Sequence, residues 1–337
     1  MRIIPQISTI VAFALTILLS SCQDSSDEPD TVTPVHQIVF LFSPGGLGDM
    51  GYNDCILTGL QRFKREHPQE DIFMYSPGSL DEAEGIFSDW IKRPGSNIHT
   101  MFVLASSDYE VMAAKYLSGA KLPDNKQVLL FESEKNFGPR TATFQISMYG
   151  ASFLAAKTAA KAVGDTKALI VLANNTDGPI RVAKDGFMDG IGAKCDIEYL
   201  ADDWTGFVSS SLAYSKMEDW SRQYNFIFPV AGGSNAGIYR YSREYADSPL
   251  LAGMDVDQSH LSRNITGSVL KHIDSLIFEY LSRWTETHSL PETALYGLGS
   301  GHVDWALSPA FAAEYGTVVE SFRDDALAAE QKYLGKK

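Results

Sequence analysis

Three cysteines are present in 337 residues, no two of them in a C-x-x-C pair, and none of the seven histidines has H-x-x-x-H spacing. That excludes a cysteine-stapled scaffold and leaves no metal-ligand pattern to read. Basic residues are scarce as well: 28 Lys and Arg face 42 Asp and Glu, a formal charge of −14. Such a balance disfavours nucleic acid and anionic lipid head groups as partners. No apolar run reaches the ~20 residues that a membrane-spanning helix needs. Low-complexity tracts and fixed-period repeats are also missing, apart from one short polar stretch near the N-terminus.

The longest apolar run is Ile10–Leu19, broken only by Thr16. Arg2 is the only charged residue before Cys22, and the small residues Ser20 and Ser21 precede that cysteine. The pattern is that of a secretory signal. Leu19-Ser20-Ser21-Cys22 resembles the bacterial lipoprotein processing box, which implies cleavage after residue 21 and lipidation of Cys22. An ordinary secreted protein is the alternative. Loss of Arg2 moves the formal charge from −14 to −15. Residues 22–35 are polar, acidic and proline-containing, so they are expected to form a flexible tether. Gln23 and the acids after it resemble surface-export signals of Bacteroidota lipoproteins. The expected location is therefore the cell envelope, on the periplasmic side or at the outer-membrane surface, with only the lipid in the membrane. Cys55 and Cys195 remain, and two buried thiols fit their surroundings better than a disulfide.

Roughly 300 mature residues suggest two domains. Strand-like runs at Ile38–Phe42, Ile72–Tyr75, Met101–Leu104, Val128–Phe131 and Thr143–Ile146 alternate with amphipathic stretches. The pattern restarts at Ala168–Ala173, Ile197–Leu200, Phe226–Val230 and Leu251–Met254. Short apolar strands separated by helices imply two doubly wound parallel sheets, an α/β class. Thr266–Trp284 carries a helical stripe, and Pro309–Leu334 reads as a terminal helix. The expected first lobe is 36–145 plus about 260–288. The expected second lobe is 146–259 plus about 289–337.

Ligands of open parallel sheets sit beyond the carboxyl ends of the strands, which singles out three loops. Ser43–Asp54 contains Gly46-x-Gly48-x-x-Gly51, formally a dinucleotide fingerprint. Asp49 would oppose pyrophosphate there, and no ribose-binding acid ends the second strand. Asp49 and Asn53 are instead candidates for hydrogen-bonding a small ligand, with Tyr52 packing on it. Gly232–Gly237 nearly spells the nucleophile elbow G-x-S-x-G around Ser234, with Asp255 and His302 following in hydrolase order. Its other reading is a turn at a helix start, where Gly232 and Asn235 meet a ligand. In the third loop Asp255 and Asp257 end a strand. Asp255 as acceptor and Lys271 as donor would suit the vicinal hydroxyls of a sugar.

Taken together, these segments resemble the basic membrane protein family of substrate-binding lipoproteins, nucleoside receptors of ABC importers. Asp49–Asn53 stands at the family's D-x-S-F-N, Tyr149–Ala156 at G-S-Y-L-A-G and Gly186–Gly190 at G-F-x-x-G. Ala231–Gly237 stands at A-G-G-T-G-x-G, Gly253–Gln258 at G-V-D-x-D-Q and Ser268–Asp274 at S-M-x-K-R-V-D. The resemblance implies a type I periplasmic binding protein fold, two lobes around a hinge. It implies that Asp255 and Lys271 hold a ribose, that Asp108 contacts the base, and that Trp204 or Phe207 supplies a stacking ring. An ABC permease is the implied partner, with no cofactor, no catalysis and a monomeric state. A hydrolase using Ser234, or a surface or sensory module not coupled to import, are the alternatives. The sequence departs from the family at Ser43 (aspartate), Tyr52 (phenylalanine), Leu57 (tryptophan) and over Pro309–Lys337.

Overall fold

The structure is a computed structural model that describes residues 36–192 and 195–335. The signal segment, Cys22 and the tether lie outside the described residues. Two sheets of six strands organise the fold. In the first, β1 (His36–Phe42), β2 (Asp71–Tyr75), β3 (His99–Ala105), β4 (Lys126–Phe131) and β5 (Thr141–Ile146) pair in the order β5-β4-β3-β1-β2. All these pairings are parallel. Helices α1 (Tyr52–Glu66), α2 (Leu80–Lys92) and α3 (Glu110–Leu117) connect them. β3, β4 and β5 bury both faces, which is why Met101–Ala105 and Val128–Phe131 read as unbroken apolar runs rather than alternating ones.

After β5 the chain enters the second lobe through α4 (Tyr149–Val163). There β6 (Ala168–Leu172), α5 (Gly178–Ile191), β7 (Cys195–Tyr199), α6 (Ser210–Gln223), β8 (Phe226–Val230), α7 (Asn235–Glu244), β9 (Leu250–Asp255) and β10 (Ile265–Lys271) build the other sheet. From β10 the chain returns to the first lobe, where α8 (Ile273–Thr287) packs on α1 and β11 (Thr293–Tyr296) pairs with β5. It crosses again to form β12 (Val303–Leu307), antiparallel to β10, then α9 (Pro309–Glu320) and α10 (Arg323–Leu334).

This threading corrects the expected lobe boundaries near 260 and 289. β10 belongs to the second sheet because it pairs with β9 and β12, and β11 belongs to the first. The helix expected over Thr266–Trp284 begins only at Ile273. Every residue of β10 but Leu270 is buried, and a buried strand has no polar face to betray its period. The single terminal helix is two helices, separated at Ser321 and Phe322. Cys55 and Cys195 are free thiols.

The C-terminal helix fastens the hinge. Glu330 of α10, 4 % exposed, accepts from the Ser147 hydroxyl at 2.7 Å, the Gly150 N–H at 3.1 Å and the Leu298 N–H at 2.8 Å. One carboxylate thus satisfies donors on two of the segments that pass between the lobes, where unpaired buried N–H groups would be costly.

Candidate functional site

The carboxyl ends of both sheets face one cleft, the place where ligands of parallel sheets sit. The first lobe contributes the loop after β1, the Ser106–Asp108 turn after β3 and Glu132 after β4. The second contributes Asp177 and Ile180 after β6, Gly232 after β8, Asp255 at the end of β9 and Lys271 at the end of β10. Phe207, from a short 3-10 turn over Trp204–Phe207, lines it as well.

Side-chain hydrogen bonds join the lobes across this cleft. Lys271 Nζ donates to Glu132 Oε1 at 2.8 Å, Ser107 Oγ to Asp177 Oδ2 at 2.6 Å, and Gln258 Nε2 to the Met50 carbonyl at 2.8 Å. The lobes are therefore closed on one another.

Lys271 is the electrostatic centre. Its ammonium also lies 3.9 Å from Asp255 Oδ1 and 4.7 Å from the centre of the Tyr52 ring. Burial alone would pull its pKa down, but Glu132 and Asp255 outweigh burial and hold it above the usual lysine value. Burial pushes Asp255 up to about 6 against the opposing pull of Lys271. Both Asp255 (φ 69°) and Glu132 (φ 58°) adopt the left-handed backbone region. Non-glycine residues rarely sit there, and the cost of ~1 kcal/mol or more is tolerated where it aims a side chain at a site.

Several expected site residues reach the cleft: Asp49, Tyr52, Asn53, Asp108, Phe207, Gly232, Asp255 and Lys271 all line it. Their roles differ from the simplest expectation. The Asp49 carboxylate accepts from the N–H groups of Gly51, Asn53 and Asp54 at 2.9, 2.8 and 3.2 Å, so it caps α1 rather than waiting for a ligand. Asn53 is tied to Ser43, the position where the resembled family has aspartate. The Tyr52 ring turns one face to Lys271, and its buried hydroxyl has no hydrogen-bond partner. Asp108 accepts from Ser106 Oγ at 2.9 Å, and burial followed by the nearby Asp177 pushes it up to about 6.

Two expected residues do not line the cleft. Trp204 begins the 3-10 turn that delivers Phe207, so only the later ring reaches the ligand space. Asn235 folds back on its own loop, accepting from the Ala231 N–H at 3.0 Å and donating to the Pro229 carbonyl at 3.3 Å. It borders only a small adjoining cavity. Conversely Glu132, Asp177 and Ser107 were not anticipated. Glu132 and Asp177 are acids just past strand ends, the one signal that would have found them.

The rival loop chemistries fail on geometry. Asp54 takes the Gly48 and Met50 N–H groups at 2.7 and 2.8 Å, the donors a pyrophosphate would need. Ser234 is fully buried, donates to the Gly206 carbonyl at 2.7 Å and accepts from the Ser209 N–H at 2.6 Å, so its hydroxyl holds two loops together. His302 faces Glu279 at 3.7 Å and the Tyr296 ring. Among the described residues no group of three or more His, Cys, Asp or Glu is arranged to hold a metal ion. Among them, too, no helix is long and apolar enough to cross a membrane.

A family model described as Bmp, ABC transporter substrate-binding protein PnrA-like, matches residues 36–330. No curated protein matches the sequence. Among solved structures, a solute-binding protein of an ABC transporter system from Aeropyrum pernix K1 is similar at 18% identity, with a TM-score of 0.67 over 88% of this chain and 86% of that one. A solute-binding protein from Burkholderia graminis C4D1M, in complex with D-arabinose, aligns at 13% identity and TM-score 0.60, covering 84% and 98%. A transcriptional activator of the comK gene from Bacillus halodurans aligns at 14% and 0.62, covering 86% and 97%. These likenesses establish the type I periplasmic binding protein fold and no more, since transport and gene regulation share it.

Proposed function

Because the chain belongs to the Bmp family of PnrA-like ABC transporter substrate-binding proteins, we propose that its cleft captures a nucleoside and delivers it to a membrane permease from a lipid anchor on Cys22. As a substrate-binding protein of an ABC importer it works outside the cytoplasm. The observation that carries the nucleoside reading is the buried Glu132–Lys271–Asp255 arrangement. Vicinal hydroxyls require an acceptor and a donor side by side, and Asp255 and Lys271 offer that pair on adjacent strands. Glu132 aims the ammonium. Phe207, Met148, Pro179 and Ile180 supply an apolar wall broad enough for a base. Ligand touching both lobes favours the closed form by its differential affinity for it, and the permease reads that form.

Calorimetric titration tests this. A purine or pyrimidine nucleoside is expected to bind, and Asp255→Ala to weaken it by more than about 1 kcal/mol, the worth of one buried hydroxyl contact. Affinity is expected to fall between pH 7 and pH 5. Asp255, held at about 6, gains a proton over that interval and loses acceptor strength. No heat with any nucleoside would refute the nucleoside reading. Cys22→Ser is expected to move the protein from the membrane to the soluble fraction, and continued membrane association would refute the anchor.

A further inference from the structure

The charge balance of the cleft is lopsided. Five carboxylates line it (Asp49, Asp108, Glu132, Asp177 and Asp255) against one ammonium, Lys271. Asp49 is absorbed in capping α1, and Lys271 serves Glu132 and Asp255. That leaves Asp108 of the first lobe, and Asp177 of the second, which feels Lys271 only weakly and forms no ion pair with it. The charges acting on Asp108 are Asp177 and Asp203, with no cation among them. The hydroxyls beside the pair are spent: Ser106 donates to Asp108, and Ser107 donates to Asp177. Asp177 also caps α5 through the Ile180 N–H at 3.0 Å. This end of the cleft therefore presents acceptors and negative charge from two sides. A second feature lies in the same cleft: the buried Tyr52 hydroxyl, within the field of Asp108 and Asp177, has no hydrogen-bond partner and can accept from a ligand N–H.

Like-charged carboxylates brought together by lobe closure repel, and in a desolvated site that repulsion is weakly screened. A neutral ligand rich in acceptors would add to it. A ligand with a positive or N–H-rich head would relieve it, so closure and ligand charge would be coupled. We propose that the cleft selects a cationic or amino-bearing head group, seated between Asp108 and Asp177 while Asp255 and Lys271 hold its hydroxyls. The seating of the hydroxyls rests on the nucleoside reading above; the preference for positive charge does not.

The test uses isosteric pairs in calorimetry at pH 7.5. 3-Methylcytidine and 1-methyladenosine are cations there, whereas 3-methyluridine and 1-methylinosine have the same size and no charge. Each cation is expected to bind at least about tenfold tighter than its neutral partner, a difference of ~1.4 kcal/mol. Asp177→Asn, which keeps the helix cap, and Asp108→Asn are each expected to collapse that ratio. Benzamidinium and its neutral analogue benzamide, which lack ribose, extend the series. Neutral nucleosides binding as well as the cations would overturn the proposal while leaving the nucleoside reading standing. Benzamidinium binding over benzamide, with no nucleoside bound, would uphold the charge selection and sink the nucleoside reading. A ratio unmoved by both asparagine variants, or no binding by any of these probes, would overturn it.

Discussion

Lys271→Met is expected to abolish ligand binding and to destabilise the protein by about 3–5 kcal/mol, the usual cost of removing one partner of a buried ion pair. The ammonium lies between Glu132 and Asp255, whose side chains are 4 % and 9 % exposed. Methionine fills the space but leaves two buried carboxylates facing each other without a counter-charge. Because its neighbours hold Lys271 above the ordinary lysine value, its contribution is complete throughout the neutral range and is lost only as the pH rises through that elevated value. Urea denaturation measures the loss. Adding Glu132→Gln to Lys271→Met is expected to restore part of the stability, since it removes one orphaned charge, but not the binding. A denaturation midpoint that Lys271→Met leaves in place would show that the pair is not coupled as described.

Gly186→Val is expected to cost about 3 kcal/mol or more, at the upper end of what overpacking does. A Cβ on Gly186 would lie 2.2 Å from the Tyr149 carbonyl oxygen, and one on Gly190 would lie 2.6 Å from that of Phe153. Helices α4 and α5 therefore touch backbone to backbone along one stripe of α5, which explains the G-F-x-x-G motif in packing terms. Neither backbone can retreat cheaply, since α4 also packs against β10, β12 and α10. Gly85, in the interior of α2, has no atom within 4 Å of its notional Cβ. Gly85→Ala is expected to be neutral or to stabilise by ~0.5–1 kcal/mol through helix propensity. Equal effects at the two glycines would contradict this account.

The two largely parallel sheets were legible because buried strands and amphipathic helices alternate twice along the chain; the antiparallel edge strand β12 was not. What escaped was where a local pattern supports two outcomes. Val269 sits four residues before Ile273 and so joins the stripe of α8, yet it lies in β10; only pairing with β9 and β12 decides this. β11 is four residues long and alternates between exposed and half-buried, too short to register as a period. The site was legible at the level of loops, because strand ends announce themselves. Side-chain direction was less so. Asn235 was misjudged because its partners are backbone groups of its own turn. Trp204 and Phe207 share one turn, and composition cannot say which ring faces the ligand. Glu132 was missed because its aim depends on a left-handed backbone that a glutamate rarely adopts.

The most direct test of nucleoside capture in the closed cleft is mass spectrometry of the small molecule released when protein purified under native conditions is denatured. A nucleoside is expected from the wild type, and none from the Asp255→Ala, Lys271→Met double variant. A free sugar or another ligand class from the wild type would contradict it, as would a nucleoside that the double variant retains.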